Sequence, residues 1–308
     1  MTEYLLACLA LMIGAVIILL LLHTRPKTAS HHALKPHAVV VFTLTADAGF
    51  ASMFFMQLKA YMWAAAHDYS FYTAHDNWQY TYASGWHDYF ASLETLDATN
   101  PRHEPKIHFR HGQDELAFVP PYSIQQYRDA VGRLFVVQGF IEAAVEKYMR
   151  EKLQTEFVSL YVRRGDKDAE REHMTLRDIL TYVNLGPPDM PLFLQTDDYT
   201  VYEELCQLYP TRQIETLTDP SQRGSRNSDL THWPPEKRKT EFELFLVSCL
   251  IFLRASRGYA DATSNVGRLL KLLAFDSISL YPLSYESEQA LLDPKTRIEP
   301  VFDFEPVP

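Results

Sequence analysis

The chain has 308 residues, 47% of them hydrophobic and 22% charged, with 18 Phe, 18 Tyr and 4 Trp. That is enough apolar material for a large core and for two domains, and it excludes wholesale disorder. With 29 Lys and Arg against 39 Asp and Glu, the formal net charge of -10 excludes broad electrostatic binding of nucleic acid, and three widely separated cysteines exclude a disulfide framework or a zinc-ligand pattern.

Tyr4 to Leu22 is apolar without interruption, long enough to cross a bilayer as a helix. It is longer than the apolar core of a signal peptide, and Arg25 and Lys27 follow rather than precede it. We expect an uncleaved anchor over residues 1–24, which makes the membrane a partner. Cations on the downstream side favour a body kept in the cytoplasm, and the absence of any Asn-X-Ser/Thr sequon points the same way. His23 to Pro36 is polar and carries two prolines, so residues 25–37 read as a linker.

Val39 to Leu44 reads as a strand and Phe50 to Ala66 as a helix. The short loop before Gly49 can place backbone N–H groups at the helix start, facing an anion. Phe71 to Phe90 is dense in aromatics, among them Trp78, Tyr80 and Trp86. These are either core or surfaces that stack on sugars. Residues 97–113, rich in Pro and His, read as a surface loop, and Tyr127 to Leu153 as one amphipathic helix. The domain boundary is placed at its end, giving units over 38–153 and 154–285.

The second unit repeats a strand–loop–helix rhythm, so the fold class is α/β. Phe157 to Val162 is a buried strand that stops in Arg163-Arg164-Gly165-Asp166-Lys167. In an open α/β sheet, ligands bind at the carboxyl ends of the strands. Two planar guanidiniums and a lysine there suit phosphate oxygens. On an acidic body this local basic spot fits a small anion better than a polyanion. Met174 to Val183 reads as a helix with Thr175 as N-cap, and Leu192 to Gln195 as a strand. Thr196-Asp197-Asp198 follows; its adjacent carboxylates also admit a metal-binding reading. Val201 to Leu208 reads as a helix, Arg212 to Ile214 as a strand and Glu241 to Leu253 as a buried helix. Thr263-Ser264-Asn265 opens a further helix over Val266 to Phe275, and residues 286–308 form an acidic, Pro-rich extended tail.

Four blocks together resemble the α-1,6-fucosyltransferases, which are GT-B glycosyltransferases using GDP-fucose. Gly49-Phe50 with Trp78-X-Tyr80 and Gly85-Trp86 resembles the family's acceptor-side domain. Val162-Arg163-Arg164-Gly165-Asp166-Lys167 is similar to H-V-R-R-T-D-K, and Leu194-Gln195-Thr196-Asp197-Asp198 to L-A-T-D-D. Gly224-Ser225-Arg226 and Thr263-Ser264-Asn265-Val266-Gly267-Arg268-Leu269 are similar to G-S-R and S-S-N-V-G-R-L. The order agrees from about Val39 to about Pro282.

The resemblance implies two Rossmann-like domains facing across a cleft. It implies that Arg163 and Arg164 hold the GDP pyrophosphate with help from Lys167. Asp198 accepts from the guanine or ribose, and Glu243 falls near a nucleotide-binding aspartate. Tyr161, Ser225, Thr263, Ser264 and Asn265 complete the donor site, and Trp78, Tyr80 and Trp86 line the acceptor side. The chain departs from the family where Tyr161 replaces a histidine, and where the glutamate after the lysine is displaced. Glu170 is the first choice for the base and Glu172 the second. Arg164 and Lys167 stabilise the departing GDP, so no metal cofactor is expected. The implied activity is inverting transfer of fucose from GDP-fucose to a hydroxyl of a glycan or glycoprotein, with a Golgi-luminal body. Rivals are another GT-B transferase, protein O-fucosyltransferase-like or using a different nucleotide sugar, and a non-catalytic nucleotide- or glycan-binding relative.

Overall fold

The computed structural model describes residues 39–46, 48–75, 77–91, 106–110, 122–153, 156–165, 174–224, 227–230 and 232–283. The expected anchor at Tyr4–Leu22, the linker and the tail over 286–308 lie outside the described residues. Among the described residues no helix is long and apolar enough to cross a membrane.

The first unit is built on β1 (Val39–Thr43), whose Val-Val-Val-Phe run is buried, as a central parallel strand must be. After Gly49 the chain enters α1 (Phe50–Ala66), buried around most of its circumference. The strands β2 (Ser70–Ala74) and β3 (Lys106–Arg110) flank β1, both parallel to it, in the order β2-β1-β3. The sequence reading took residues 97–113 for a loop, yet β3 lies there. Phe109 is buried and His108 exposed, the alternation of an edge strand with one face outward.

The single helix expected over Tyr127–Leu153 is two: α2 (Ile124–Leu134) and α3 (Gly139–Lys152). Ser123 and Gln126 close α2 with a capping box. The break is a tertiary event. Val137 forms an antiparallel bridge with Phe90, flanked by hydrogen bonds donated by Ala91 N to Val136 O at 2.7 Å and by Gln138 N to Tyr89 O at 2.8 Å. The Val136 carbonyl and the Gln138 N–H therefore bond to the 89–91 segment instead of continuing a helix.

The second unit contains β4 (Val158–Val162), α4 (Leu176–Tyr182), β5 (Leu192–Thr196), α5 (Tyr199–Leu208), β6 (Ile214–Thr216), the short α6 (Asn227–Leu230), α7 (Pro235–Leu253), β7 (Arg257–Asp261), α8 (Asn265–Leu273) and β8 (Ile278–Tyr281). All strand pairs are parallel, in the order β6-β5-β4-β7-β8. The chain winds outward from β4 through β5 to β6, then returns across the sheet to β7 and β8. The sheet is doubly wound, and the winding reverses between β4 and β7. Val158, Leu160 and Val162 face a core formed with α4 and α5. Tyr161 and Phe193 face the opposite side, in a core that includes α7 and α8.

That second core is continuous with the first unit. Phe242 of α7 lies with its ring 5.0 Å from Phe50, 5.5 Å from Trp78, 4.2 Å from Tyr80 and 4.7 Å from Tyr89. Helix α3 packs on α7, with Tyr148 against Phe193 and near Glu215, so it sides with the second sheet. The boundary expected at residue 153 is thus crossed one helix earlier, because the apolar stripe of α3 is buried on the second unit.

Candidate functional site

The ladder between β4 and β7 ends at Leu160 and Tyr259, although both strands continue. The strands fork there. The carbonyl of Tyr161, left without a ladder partner from β7, accepts the Tyr281 hydroxyl at 2.6 Å. The Tyr161 hydroxyl meets Ser264 Oγ at 3.0 Å, tying β4 to the start of α8. Burial pushes the Tyr161 hydroxyl far above its ordinary range, with Arg163 a smaller opposing influence. Tyr161 is therefore a neutral strut at physiological pH.

Because Ser264 turns to Tyr161, its side chain does not cap its own helix. The first turn of α8 has no side-chain cap and no acidic residue. Its first N–H groups lack intrahelical partners and sit beside the fork, with the positive end of the helix dipole. Gly267 brings this helix close. A Cβ there would fall 2.1 Å from the carbonyl oxygen of Asp261, so only glycine lets α8 lie against the end of β7. The Asp261 carboxylate accepts from Thr263 N at 2.9 Å and from Thr263 Oγ1, fixing the loop between them.

Arg163 and Arg164 emerge from the end of β4 and are partly buried. Both are organised by Asp197, which follows β5. Asp197 Oδ1 accepts the Arg164 backbone N–H at 2.7 Å, and Oδ2 lies 3.2 Å from Arg163 NH1. The Arg164 guanidinium donates to the Met174 carbonyl at 2.6 Å. Gly165 and Gly224 both have positive φ, at 36° and 80°. A Cβ on Gly224 would lie 3.0 Å from Gly165 Cα, so two loops meet backbone to backbone beneath the arginines.

Asp198 has a different task from the one expected. It is the N-cap of α5, with Oδ1 accepting from Thr200 N at 2.9 Å and Thr200 Oγ1 at 2.8 Å. The two adjacent carboxylates thus diverge, one toward arginines and one into a helix start. That is no arrangement for a shared metal ligand pair. The signal was present in the sequence: a helix opening at Tyr199 makes Asp198 its cap by rule and leaves Asp197 for the strand end. Asp197, and not Asp198, is the carboxylate that holds the two arginines.

Of the other expected donor residues, Tyr161 and Ser264 touch across the fork, Arg163 and Arg164 follow the end of β4, Asn265 opens α8, and Thr263 is exposed. Glu243 lies within α7, with its carboxylate 3.6 Å from Lys239 Nζ. Lys167, Glu170, Glu172 and Ser225 lie outside the described residues. The acceptor-side assignment of Trp78, Tyr80 and Trp86 is corrected: they are 3%, 8% and 3% exposed. Trp86 stacks on Phe90 at 4.0 Å and Tyr80 on Phe242 at 4.2 Å, so their faces are spent on core packing.

No protein-family model matches the sequence, and no curated protein matches it. Among solved structures, the fucosyltransferase NodZ from Bradyrhizobium is similar over 78% of this chain and 93% of its own, at 14% identity and a TM-score of 0.53. The selenomethionine form of that enzyme is similar over 82% and 96%, at 13% identity and a TM-score of 0.51. A NodZ α-1,6-fucosyltransferase structure soaked with GDP-fucose is similar over 78% and 93%, at 14% identity and a TM-score of 0.50. The likeness is one of fold: two α/β units with parallel sheets.

Proposed function

We propose that this protein is a glycosyltransferase of the GT-B kind that transfers fucose from GDP-fucose to a hydroxyl of a glycan acceptor. The observation that carries this reading is the fork between β4 and β7. There Tyr161 is tied to Ser264 at the uncapped start of α8, and the chain leaves β4 into Arg163 and Arg164, at the point where a doubly wound sheet takes its nucleotide. A nucleoside diphosphate fits such a cradle through its diphosphate oxygens, which accept from guanidinium and helix N–H donors. The fold shared with a fucosyltransferase supports fucose as the sugar.

The chemistry follows from charge. As the bond between the anomeric carbon and the β-phosphate oxygen breaks, negative charge gathers on GDP, and Arg163 and Arg164 meet it. The acceptor hydroxyl gives its proton to a carboxylate and attacks the anomeric carbon from the opposite face, inverting it. Glu170 is the proposed base, with Glu172 the alternative, and Lys167 assists the leaving group. Two guanidiniums supply the neutralisation a divalent ion would otherwise provide, so the reaction is proposed to run without added metal. We further propose that Tyr4–Leu22 anchors the protein in a membrane with its catalytic body in the Golgi lumen.

The test is release of GDP from GDP-fucose by the purified protein, with and without EDTA and against a panel of UDP-sugars. Release from GDP-fucose should persist in EDTA, and Arg164→Ala should lower turnover by roughly 10²-fold. Wild-type turnover in that variant sinks the cradle assignment. Preference for a UDP-sugar overturns the choice of donor, and GDP binding without any release makes the protein a non-catalytic relative.

A further inference from the structure

Helix α8 opens on a residue suited to cap it that does not. Ser264 has the extended backbone of an N-cap, with φ -93° and ψ 133°, and its carbonyl accepts Arg268 N at 3.0 Å, the first bond of the helix. Serine is among the residues preferred there, because its hydroxyl can accept an N–H of the second or third helical residue. Ser123, Thr175 and Asp198 each make that bond in the helices they open. Ser264 does not, and only the direction of its side chain stands in the way. Thr263, one position earlier, offers no substitute, since its hydroxyl donates to the Asp261 carboxylate.

The Tyr161 hydroxyl holds that side chain, at 3.0 Å from Ser264 Oγ. The two residues are 4% and 6% exposed, so water competes little for the bond. Burial keeps Tyr161 a neutral hydroxyl, so the tie does not come and go with pH near neutrality. Tyr161 is itself fixed within β4, where its carbonyl accepts the Tyr281 hydroxyl of β8 at 2.6 Å. A phenylalanine in its place would keep the ring and that carbonyl bond and lose only the hold on Ser264. The freed serine hydroxyl would then be buried without a partner, which is costly. A partner lies in its own helix, in the N–H groups of Val266 and Gly267, which the cap position is set to reach. Strand and helix therefore compete for one hydroxyl, and the strand holds it.

We infer that Tyr161 is a positioning residue of the donor site, whose hydroxyl draws Ser264 away from α8 and so leaves the opening N–H groups of that helix free for a diphosphate. The role is indirect, exerted through Ser264 and without contact to the ligand. With the cap made, the diphosphate oxygens would have to displace it before accepting from the same donors, and affinity would fall by the worth of one N-cap bond. For the ligand's identity this rests on the proposed function; the competition for Ser264 stands apart from it.

The test compares Y161F, S264A and Y161F/S264A with the unmodified full-length protein in two measurements. In GDP titration, Y161F should bind about fivefold more weakly, the equivalent of one N-cap bond. Y161F/S264A should bind as tightly as S264A, because no side-chain cap can form in either. In amide hydrogen exchange without ligand, Val266 and Gly267 should exchange about fivefold more slowly in Y161F and regain fast exchange in Y161F/S264A. A tyrosine that merely fills space predicts the opposite: looser packing, faster exchange, and a GDP defect that the second substitution leaves or deepens. That pattern overturns the inference, and so does an unchanged GDP affinity in Y161F where the unmodified protein binds GDP. Slowed exchange in Y161F that S264A reverses, in a protein that binds no GDP, upholds the hold on Ser264 and fells the donor reading instead.

Discussion

Asp197 and Asp198 are adjacent, carry the same side chain and do different work. Asp197 is 8% exposed and holds the backbone of one arginine and the guanidinium of the other. Asp198 is partly exposed and satisfies a helix start. Substituting each by alanine separates the roles. Asp198→Ala should cost about 1 kcal/mol of stability, the usual worth of an N-cap, and leave the diphosphate cradle in place. Asp197→Ala removes two contacts to charged or backbone donors, but also removes a negative charge beside the proposed anion site. The first effect misplaces the arginines and the second favours anion binding, so the two oppose each other in GDP affinity. Turnover has no such compensation, because it depends on geometry at the moment charge develops. We expect Asp197→Ala to lower kcat about tenfold or more while GDP affinity changes by less. Urea titration, GDP titration and steady-state kinetics on the two variants check this; equal kinetic losses in both would remove the positioning role.

Among elements, the junction of β7 and α8 fixes how the helix is seated on the strand end. Gly267 and Gly132 make a paired test, since both lie within helices and only one faces a wall. A Cβ at Gly267 collides with Asp261, whereas one at Gly132 in α2 meets nothing within 4 Å. Gly267→Ala should cost roughly 1–3 kcal/mol from overpacking and weaken GDP binding as α8 is displaced. Gly132→Ala should be neutral or stabilise by up to about 1 kcal/mol through helix propensity. Urea midpoints for both, with GDP titration of the first, decide it. The same junction shows where sequence reading stops. Helices α1, α5 and α8 and strands β1, β4 and β5 were legible, because each is a long or strongly apolar run whose burial follows from composition alone. The strand β7, Arg-Gly-Tyr-Ala-Asp, was not, since it holds no β-branched residue and its four buried positions depend on neighbours on both sides. The gap between α2 and α3 was equally hidden. Its cause is Phe90, which bridges Val137 from far along the chain. In the site, the Arg163-Arg164 pair was legible from its charge after a buried strand. The aromatic residues 78, 80 and 86 were not assignable, because core and sugar platform use the same side chains and only burial tells them apart.

At the scale of the whole molecule, the two sheets do not have separate cores. The apolar cluster that begins at Val40 in β1 continues to Leu280 in β8, and α7 runs through the middle of it. Phe242 is where the halves meet, with Phe50, Trp78, Tyr80 and Tyr89 of the first unit around one ring of the second. A cleft built over such a joint cannot hinge there without exposing several aromatic faces, so opening must be taken up elsewhere. The joint also makes ligand binding in one half a stabiliser of the other. GDP at about a hundred times its Kd contributes about 2.7 kcal/mol to the unit it binds. If the core is shared, that gain reaches the three tryptophans of the first unit, Trp63 in α1 and Trp78 and Trp86, the last two 3% exposed. Their fluorescence should report one unfolding transition, coincident with far-UV circular dichroism, and GDP should move both together. Phe242→Ala should cost about 3–5 kcal/mol, a large share of the about 5–15 kcal/mol that holds a domain together. It should also uncouple the halves, so that GDP shifts the circular dichroism transition and leaves the tryptophan transition behind. Two separated transitions in the unmodified protein would show instead that the units fold independently, and the ring of Phe242 would then be a contact between domains and not the centre of one core.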